Sequence, residues 1–256
     1  MHCHTKEGSP DGKVPAAECA KTLKSLGFGG MMITDHNSYD GYYSLEGVNV
    51  GSLVVLKGVE YDTSDFGHIL VVMPDEFTSP LTGIRGLSLS ALERFVHKNG
   101  GILGPAHPCG EPFLSFFTTG VTKRSTIKKH ELLPLFDFIE GYNACESDRD
   151  NKRARYLAFK YGLPMLGGSD SHKIDSIGCG FTYLPGWIKT NNDLIRYIKR
   201  RPAIHVGGRR YGNTLKDRLG IWNKGLVYGF FFYNKFKTLI YTPVRRDVYE
   251  YENSKI

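Results

Sequence analysis

Two histidines one residue apart open the chain, in Met1-His2-Cys3-His4. On an extended segment side chains alternate with period two, so both imidazoles project to one face and Cys3 to the other. Two imidazoles on one face are half of a metal site, and the rest of the chain supplies matching groups. Asp35-His36 follows Gly30-Met31-Met32-Ile33, and Glu60 follows the run Leu53-Val54-Val55-Leu56. His68 opens Ile69-Leu70-Val71-Val72, His107 follows Gly101-Ile102-Leu103-Gly104, and Asp170 and His172 follow Met165-Leu166-Gly167-Gly168. Ligand-type residues thus recur at the ends of short apolar runs, where a β/α barrel carries its chemistry. A single strand-end histidine is usually a satisfied polar residue. Six of the nine histidines stand in such positions, and that joint pattern points to a metal centre. His97, His130 and His205 lack the setting and read as surface or satisfied histidines.

The motifs His2-Cys3-His4, Thr34-Asp35-His36, Gly58-Val59-Glu60, Gly67-His68, Ala106-His107-Pro108 and Gly168-Ser169-Asp170-Ser171-His172 stand in the order of a known family. Over roughly the first 185 residues the chain resembles the PHP (polymerase and histidinol phosphatase) family. The resemblance implies an α/β fold, a distorted (β/α)7 barrel, carrying a three-metal phosphoesterase centre. In it His2, His4, Glu60 and Asp170 would hold one ion, Glu60, His68 and His107 a second, and Asp11, His36 and His172 a third. Asp35, His36 and His172 are the catalytic candidates, with Asp35 orienting a ligand or a bound water. Asn143 matches a strand-end asparagine near the metals. The loop after the first pair departs from the family: Asp11-Gly12 comes about two residues later than the usual Asp-Gly, so Glu7 stays a rival ligand. Only Met1 precedes the pair, so the first strand is expected to be short or to begin upstream. Without the resemblance, the residues give a metal-binding α/β enzyme.

At 256 residues the chain fits one large α/β domain with an appendage. The polar start holds the candidate site and reads as no secretory signal, and no apolar stretch is long enough to span a membrane. Five cysteines without regular spacing argue against a disulfide framework and for reduced thiols in a cytoplasmic protein. Charge is uneven. Residues 199–256 hold thirteen Lys and Arg against four Asp and Glu, +9 in a chain whose total is +7. The expected organisation is therefore a barrel over 1–198 and a basic, aromatic-rich extension over 199–256. That extension reads either as a solvated cationic surface or as an attractor of anionic substrates or nucleic acid. Its aromatics, Tyr228 to Phe236, fit an alternating strand packed on the barrel more simply than a single-strand stacking platform.

Local signals place the remaining elements. The spacing of Cys19, Leu23 and Leu26 predicts a helix over 15–27 stopped by Gly27. Loop 37–43, with three tyrosines, either walls a pocket or packs as an ordinary loop. Segment 53–72 reads as two strands around the turn 62–67. Residues 90–99 read as a helix with Ser90 as N-cap and Glu93 completing a capping box. Residues 110–134, with Phe113, Phe116, Phe117 and the basic run Lys123 to Lys129, read as a lid or insertion. A strand over 136–143, a helix over 150–161 closing on Gly162, and a helix over 191–200 complete the chain.

The chemistry follows from the ligands. Clustered divalent ions lower the pKa of bound water and clamp phosphoryl oxygens, which is what hydrolysis of an anionic phosphate ester needs. Nitrogen and carboxylate donors without cysteine suit two or three ions of zinc, manganese or iron. The leading expectation is release of phosphate from a small anionic monoester. A nuclease acting on phosphodiesters is the second, with nucleic acid a less favoured partner. A hydrolase of carbon–nitrogen bonds is a third, set lower because such barrels commonly use a bridging carboxylated lysine and no lysine reads as strand-end here. Oligomeric state is not legible.

Overall fold

The computed structural model describes residues 1–77, 84–111, 114–119 and 129–211, and beyond them residues 225, 229, 232, 233 and 236. The first helix, α1 (Ala16–Ser25), follows Pro15 and ends before Gly27, which takes φ +80°. Glu7 Oε2 accepts a hydrogen bond from the Ala16 amide at 3.0 Å, satisfying one of the donors a helix start leaves open. α1 buries Ala16, Cys19, Ala20 and Leu23 against Met31, Ile33 and Leu53, so its apolar stripe is core. The helical turn α2 (Asp40–Tyr43) follows β1 (Gly30–Ile33), which pairs in parallel with β2 (Val54–Lys57). β3 (Val59–Asp62) runs antiparallel to β4 (His68–Val72), and β4 antiparallel to β5 (Ile102–Pro105). β6 (Ile139–Asn143) is parallel to β7 (Met165–Gly168), and β8 (Gly180–Thr182) antiparallel to β9 (Val206–Gly208).

This is a mixed α/β fold, but the strands form four separate hydrogen-bonded sheets, and no closed sheet runs through the described residues. One reason is the β3–β4 connection. It is a tight turn, not a helix, so β4 opposes both neighbours instead of following the parallel sense of a β/α repeat. Gly67 makes that turn possible: it takes φ +74°, and a Cβ there would collide with the main chain at Leu114. The other reason is strand length. With three to five residues each, the strands diverge after a few rungs, and single contacts carry the neighbour order onward. Cys3 bridges Ser171 and His36 bridges Glu60, the Thr34 amide donates to Cys3 O at 2.9 Å, and the Asp137 amide donates to Leu103 O at 2.9 Å.

Helix α3 (Leu89–Lys98) starts earlier than its sequence suggests. Its N-cap is Ser88, whose Oγ accepts from the Ala91 amide at 3.3 Å, and Glu93 reaches forward to His97 instead of closing a capping box on Ser90. α4 (Asp148–Tyr161) is capped by Ser147 and stopped by Gly162 at φ +61°. α5 (Asn191–Lys199) carries the full capping box, with Thr190 and Asp193. α3 and α4 cover one core with Leu92, Phe95, Val96, Leu157 and Ala158, while α5 covers another with Leu194, Ile195 and Ile198.

Several expectations change here. Ser115, Phe116 and Phe117 are buried, the two rings packed on one another and, through Phe116, on Phe136, so residues 115–117 belong to the core and not to a lid. Phe113 and the basic residues 123–128 lie outside the described residues. The tyrosines of loop 37–43 gather around a lysine: Lys57 Nζ lies 5.4 Å from the Tyr39 ring and 5.9 Å from those of Tyr42 and Tyr43. Lys57 closes β2, so a strand-end lysine is present after all. Its ammonium is held by the carbonyls of Asp75 and Phe77, which occupies it away from the histidines. In the extension, Gly225, Gly229, Phe232, Tyr233 and Phe236 have helical backbone and are exposed, against the strand expected there; its other residues beyond 211 lie outside the description. All five cysteines are free thiols. Among the described residues no helix is long and apolar enough to cross a membrane.

Candidate metal centre

The first strand segment hangs between two others by main-chain bonds. The Asp170 amide donates to His2 O at 2.9 Å, the His4 amide to Ser171 O at 3.1 Å, and the Thr34 amide to Cys3 O. This extended backbone turns His2 and His4 to one side, and their Nε2 atoms come within 3.1 Å of each other. Two carboxylates join them. Glu60 Oε2 stands 3.4 Å from His2 Nε2 and 3.2 Å from His4 Nε2, and Asp170 Oδ1 stands 3.6 and 3.2 Å from the same atoms. Donors held about 2.1 Å from one tetrahedral ion are separated from each other by about 3.4 Å. The residues present therefore fit a metal on spacing as well as on donor chemistry.

Glu60 faces two ways. Its Oε2 turns to His2 and His4, while its Oε1 lies 3.0 Å from His68 Nδ1 and 2.9 Å from His107 Nε2. A third group forms at the mouth: Asp11 Oδ2 is 3.0 Å from His172 Nε2 and 3.8 Å from His36 Nε2. The other nitrogen of His36, Nδ1, lies 3.4 Å from Glu60 Oε2, so this imidazole stands between two groups. Among the described residues, three ligand sets have their atoms within 4.8 Å of one another: His4, Asp11, His36 and His172; His2, His4 and Asp170; His36, Glu60 and His68. Every metal candidate read from the sequence stands in this cluster. Glu7, its rival in the loop, is instead the cap of α1.

The electrostatics suit charged partners. Burial works to lower the pKa of His2 and His4, but the surrounding carboxylates, Asp170 and Glu60 for both and Glu140 for His2, hold both well above the ordinary histidine range. His36, under the same opposing effects from burial and from Glu60 and Asp62, is raised to about 9. Burial works to raise Glu60, Asp170 and Asp11, and the neighbouring histidines override it and hold all three low.

A second ring of groups fixes the imidazoles. His2 Nδ1 meets Glu140 Oε1 at 2.9 Å, His4 Nδ1 meets Ser9 Oγ at 3.0 Å, and His107 Nδ1 meets Ser115 Oγ at 3.1 Å. His172 Nδ1 donates to Asp170 O at 3.0 Å. Asp35 acts at one remove. Its Oδ1 accepts from the Thr5 amide and from Ser9 Oγ, and its Oδ2 from Thr5 Oγ1, so it reaches His4 through Ser9 and has no direct place among the donors. That placement is in line with the orienting role expected of Asp35 among the catalytic candidates. Asp62, 3.3 Å from His36 Nδ1 and 3.2 Å from His68 Nε2, and Glu140 were missed by sequence reasoning. A glutamate amid the apolar run Phe138 to Tyr142 was the signal available for Glu140. Asn143 donates to Glu140 Oε2 and Asp170 Oδ2 at 3.0 and 3.2 Å, near the centre as expected.

Backbone strain concentrates here. Among the described non-glycine residues, Asn37, His107 and Asp170 take φ of +50°, +27° and +50°, and Arg201 is the one other with positive φ. Gly168 is required beside them, because a Cβ there would strike His2. His97 and His130 are satisfied elsewhere, by Glu93 with Asp137 and by Tyr161. A cavity of about 440 Å³, lined by Met1, Leu23, Phe28, Met32 and Phe181, also borders His2 but touches none of the clustered carboxylates.

Residues 148–202 match the PHP-associated family. Solved structures share the fold. One is a protein assigned as a metal-dependent phosphoesterase from Bifidobacterium adolescentis, with 14% identity, 79% of this chain and 95% of that one covered, and a TM-score of 0.55. Another is PsfC from Pseudomonas syringae, with 17% identity, coverage of 88% and 97%, and a TM-score of 0.54. A third is Endonuclease Q in complex with a 27-mer duplex bearing an abasic lesion, with 17% identity and a TM-score of 0.52. The match takes in 80% of this chain but 56% of the endonuclease. No curated protein sequence matches the chain.

Proposed function

We propose that the chain is a PHP-domain protein and a metal-dependent phosphoesterase releasing phosphate from small anionic monoesters, a reading supported by the PHP-associated match over residues 148–202 and by the shared fold. One observation carries this reading: Glu60 sits between two imidazole pairs, offering one oxygen to His2 and His4 and the other to His68 and His107. A carboxylate in that position can join two cations. His2, His4, Glu60 and Asp170 would hold one ion, Glu60, His68 and His107 a second, and Asp11, His36 and His172 a third. When bound, zinc, manganese or iron would supply charge neutralisation for the phosphoryl oxygens and an acidified water.

The residues themselves prepare the site. Ser9, Ser115 and Glu140 engage the outer nitrogens of His4, His107 and His2, which leaves each Nε2 turned inward as a donor. Exposure gives the direction of approach. The Asp11 and His172 side chains are 44% and 28% exposed, whereas His2, His4 and Glu60 are at 0–1%. Substrate thus enters past Asp11 and His172, and the inner groups stay shielded from bulk water. We read this arrangement as the carboxyl-end face of a distorted (β/α)7 barrel over 1–198, with 199–256 as its basic extension.

A second reading is a nuclease. The likeness to Endonuclease Q, whose complex holds duplex DNA, and the +9 charge of residues 199–256 favour it. The test is phosphate release and strand cleavage by metal-reconstituted protein, with a panel of sugar phosphates and nucleoside monophosphates set beside single- and double-stranded oligonucleotides. Turnover of monoesters with intact oligonucleotides supports the first reading. Strand cleavage with inert monoesters replaces it with the second.

A further inference from the structure

We propose that Tyr211, nine residues beyond the stretch that matches the PHP-associated family, is a positioning residue for this site, its phenol clamping the Asp170 carbonyl so that the Asp170 carboxylate stays on the His2–His4 pair. The inference rests on the metal-centre reading above. Asp170 is a non-glycine residue at φ +50°, a conformation held only where the surroundings determine it. Its polar groups are all engaged. The amide donates to His2 O, Oδ2 accepts from Asn143 Nδ2, and Oδ1 faces His4 Nε2. The carbonyl accepts from Tyr211 Oη at 2.8 Å and from His172 Nδ1 at 3.0 Å. One carbonyl thus ties together an inner carboxylate and a mouth imidazole.

Tyr211 is itself anchored. β9 pairs with β8, the Arg209 amide donates to Cys179 O at 2.8 Å, and the Tyr211 amide donates to Ala144 O at 3.2 Å. Its ring packs against the buried cluster of Tyr142, Ala144 and Cys179. The start of the basic extension is therefore a strap laid over the ends of β6 and β7, and its phenol is the group that reaches the site. Removing that hydroxyl leaves the ring and its packing in place but frees the Asp170 carbonyl from one of its two donors. The Asp170 carboxylate then loses its fixed aim, and ion binding weakens before the fold does.

The test is the Zn²⁺ affinity of the full-length chain, measured in the cold by competition with a chromophoric chelator. Tyr211→Phe is compared with Tyr161→Phe, whose hydroxyl meets His130 away from the cluster. The proposal expects Tyr211→Phe to bind its tightest ion at least tenfold more weakly while Tyr161→Phe matches wild type. A purely structural tyrosine would lower Tm and leave affinity unchanged, and that result overturns the proposal. Affinity lost equally in both variants overturns it too. A wild-type chain that binds no Zn²⁺ would sink the metal reading beneath it, which is a distinguishable failure.

Discussion

Glu140 Oε1 lies 2.9 Å from His2 Nδ1 although the two residues are 138 positions apart in the chain. The same carboxylate accepts from the His107 amide at 2.6 Å, so one side chain of β6 aims two candidate ligands from different strands. An outer carboxylate fixes the tautomer and the orientation of a ligating imidazole. Glu140→Gln keeps the shape but loses the charge, and it is expected to weaken metal affinity roughly ten- to a hundredfold. Chelator competition on the purified variant measures this; unchanged affinity would remove Glu140 from the site.

The loop ligand is decided by Asp11 against Glu7. Asp11→Asn removes the charge that faces His172 and His36, so the chain is expected to bind one ion fewer and to lose activity by orders of magnitude. Glu7→Gln still offers an acceptor to the Ala16 amide. It should leave metal content unchanged and cost less than about 1 kcal/mol, within the range of a lost helix cap. Elemental analysis and thermal melts of both variants check the pair, and the reverse ranking would move the ligand to Glu7.

His97 gives a pH prediction away from the metals. Burial works to lower its pKa, but Asp137 and Glu93 outweigh that and raise it above the ordinary 6.5. A raised histidine contributes stability that is fully present below its unfolded value and is lost as pH rises through the folded one. The urea midpoint of wild type should therefore fall from pH 6.5 upward by more than that of His97→Gln. Parallel curves for the two proteins would show that the pair does not titrate with folding.

Phe116 tests the reassignment of residues 115–117 from lid to core. Truncating a fully buried aromatic costs about 3–5 kcal/mol, a large part of the roughly 5–15 kcal/mol that holds a domain folded. Phe116→Ala is expected to lower Tm steeply, whereas a lid residue would leave Tm alone and change KM. Thermal melts distinguish the two.

What could be read from the sequence follows the periodicities. His2 and His4 were legible because alternation on a strand dictates their common face, and α4 was legible because Gly162 ends a clean apolar stripe. Phe116 was not, because a phenylalanine between Pro112 and a basic run gives no period to read, and its burial depends on Phe136 twenty residues on. The Ser88 cap was not legible for a related reason: two serines precede the apolar stripe, and which one caps α3 depends on where the backbone turns. Asp62 and Tyr211 reach the site only through folding, by a hairpin and by a strap, so no local pattern marks them. Asp11 could be read only with Glu7 kept as its rival, since loop length does not say which carboxylate turns inward. The strand order was set by main-chain bonds over a few residues, which sequence alone does not specify.

The most direct measurement of the central claim is the metal content of the purified chain and of Glu60→Gln, by elemental analysis after reconstitution and desalting. Glu60 faces both imidazole pairs, so its loss should disturb two ions at once. The account predicts two to three ions per wild-type chain, with at least one fewer in Glu60→Gln and phosphoesterase turnover falling in step. Stoichiometric metal in wild type with an unchanged count in Glu60→Gln, or a wild type without bound metal, would contradict it.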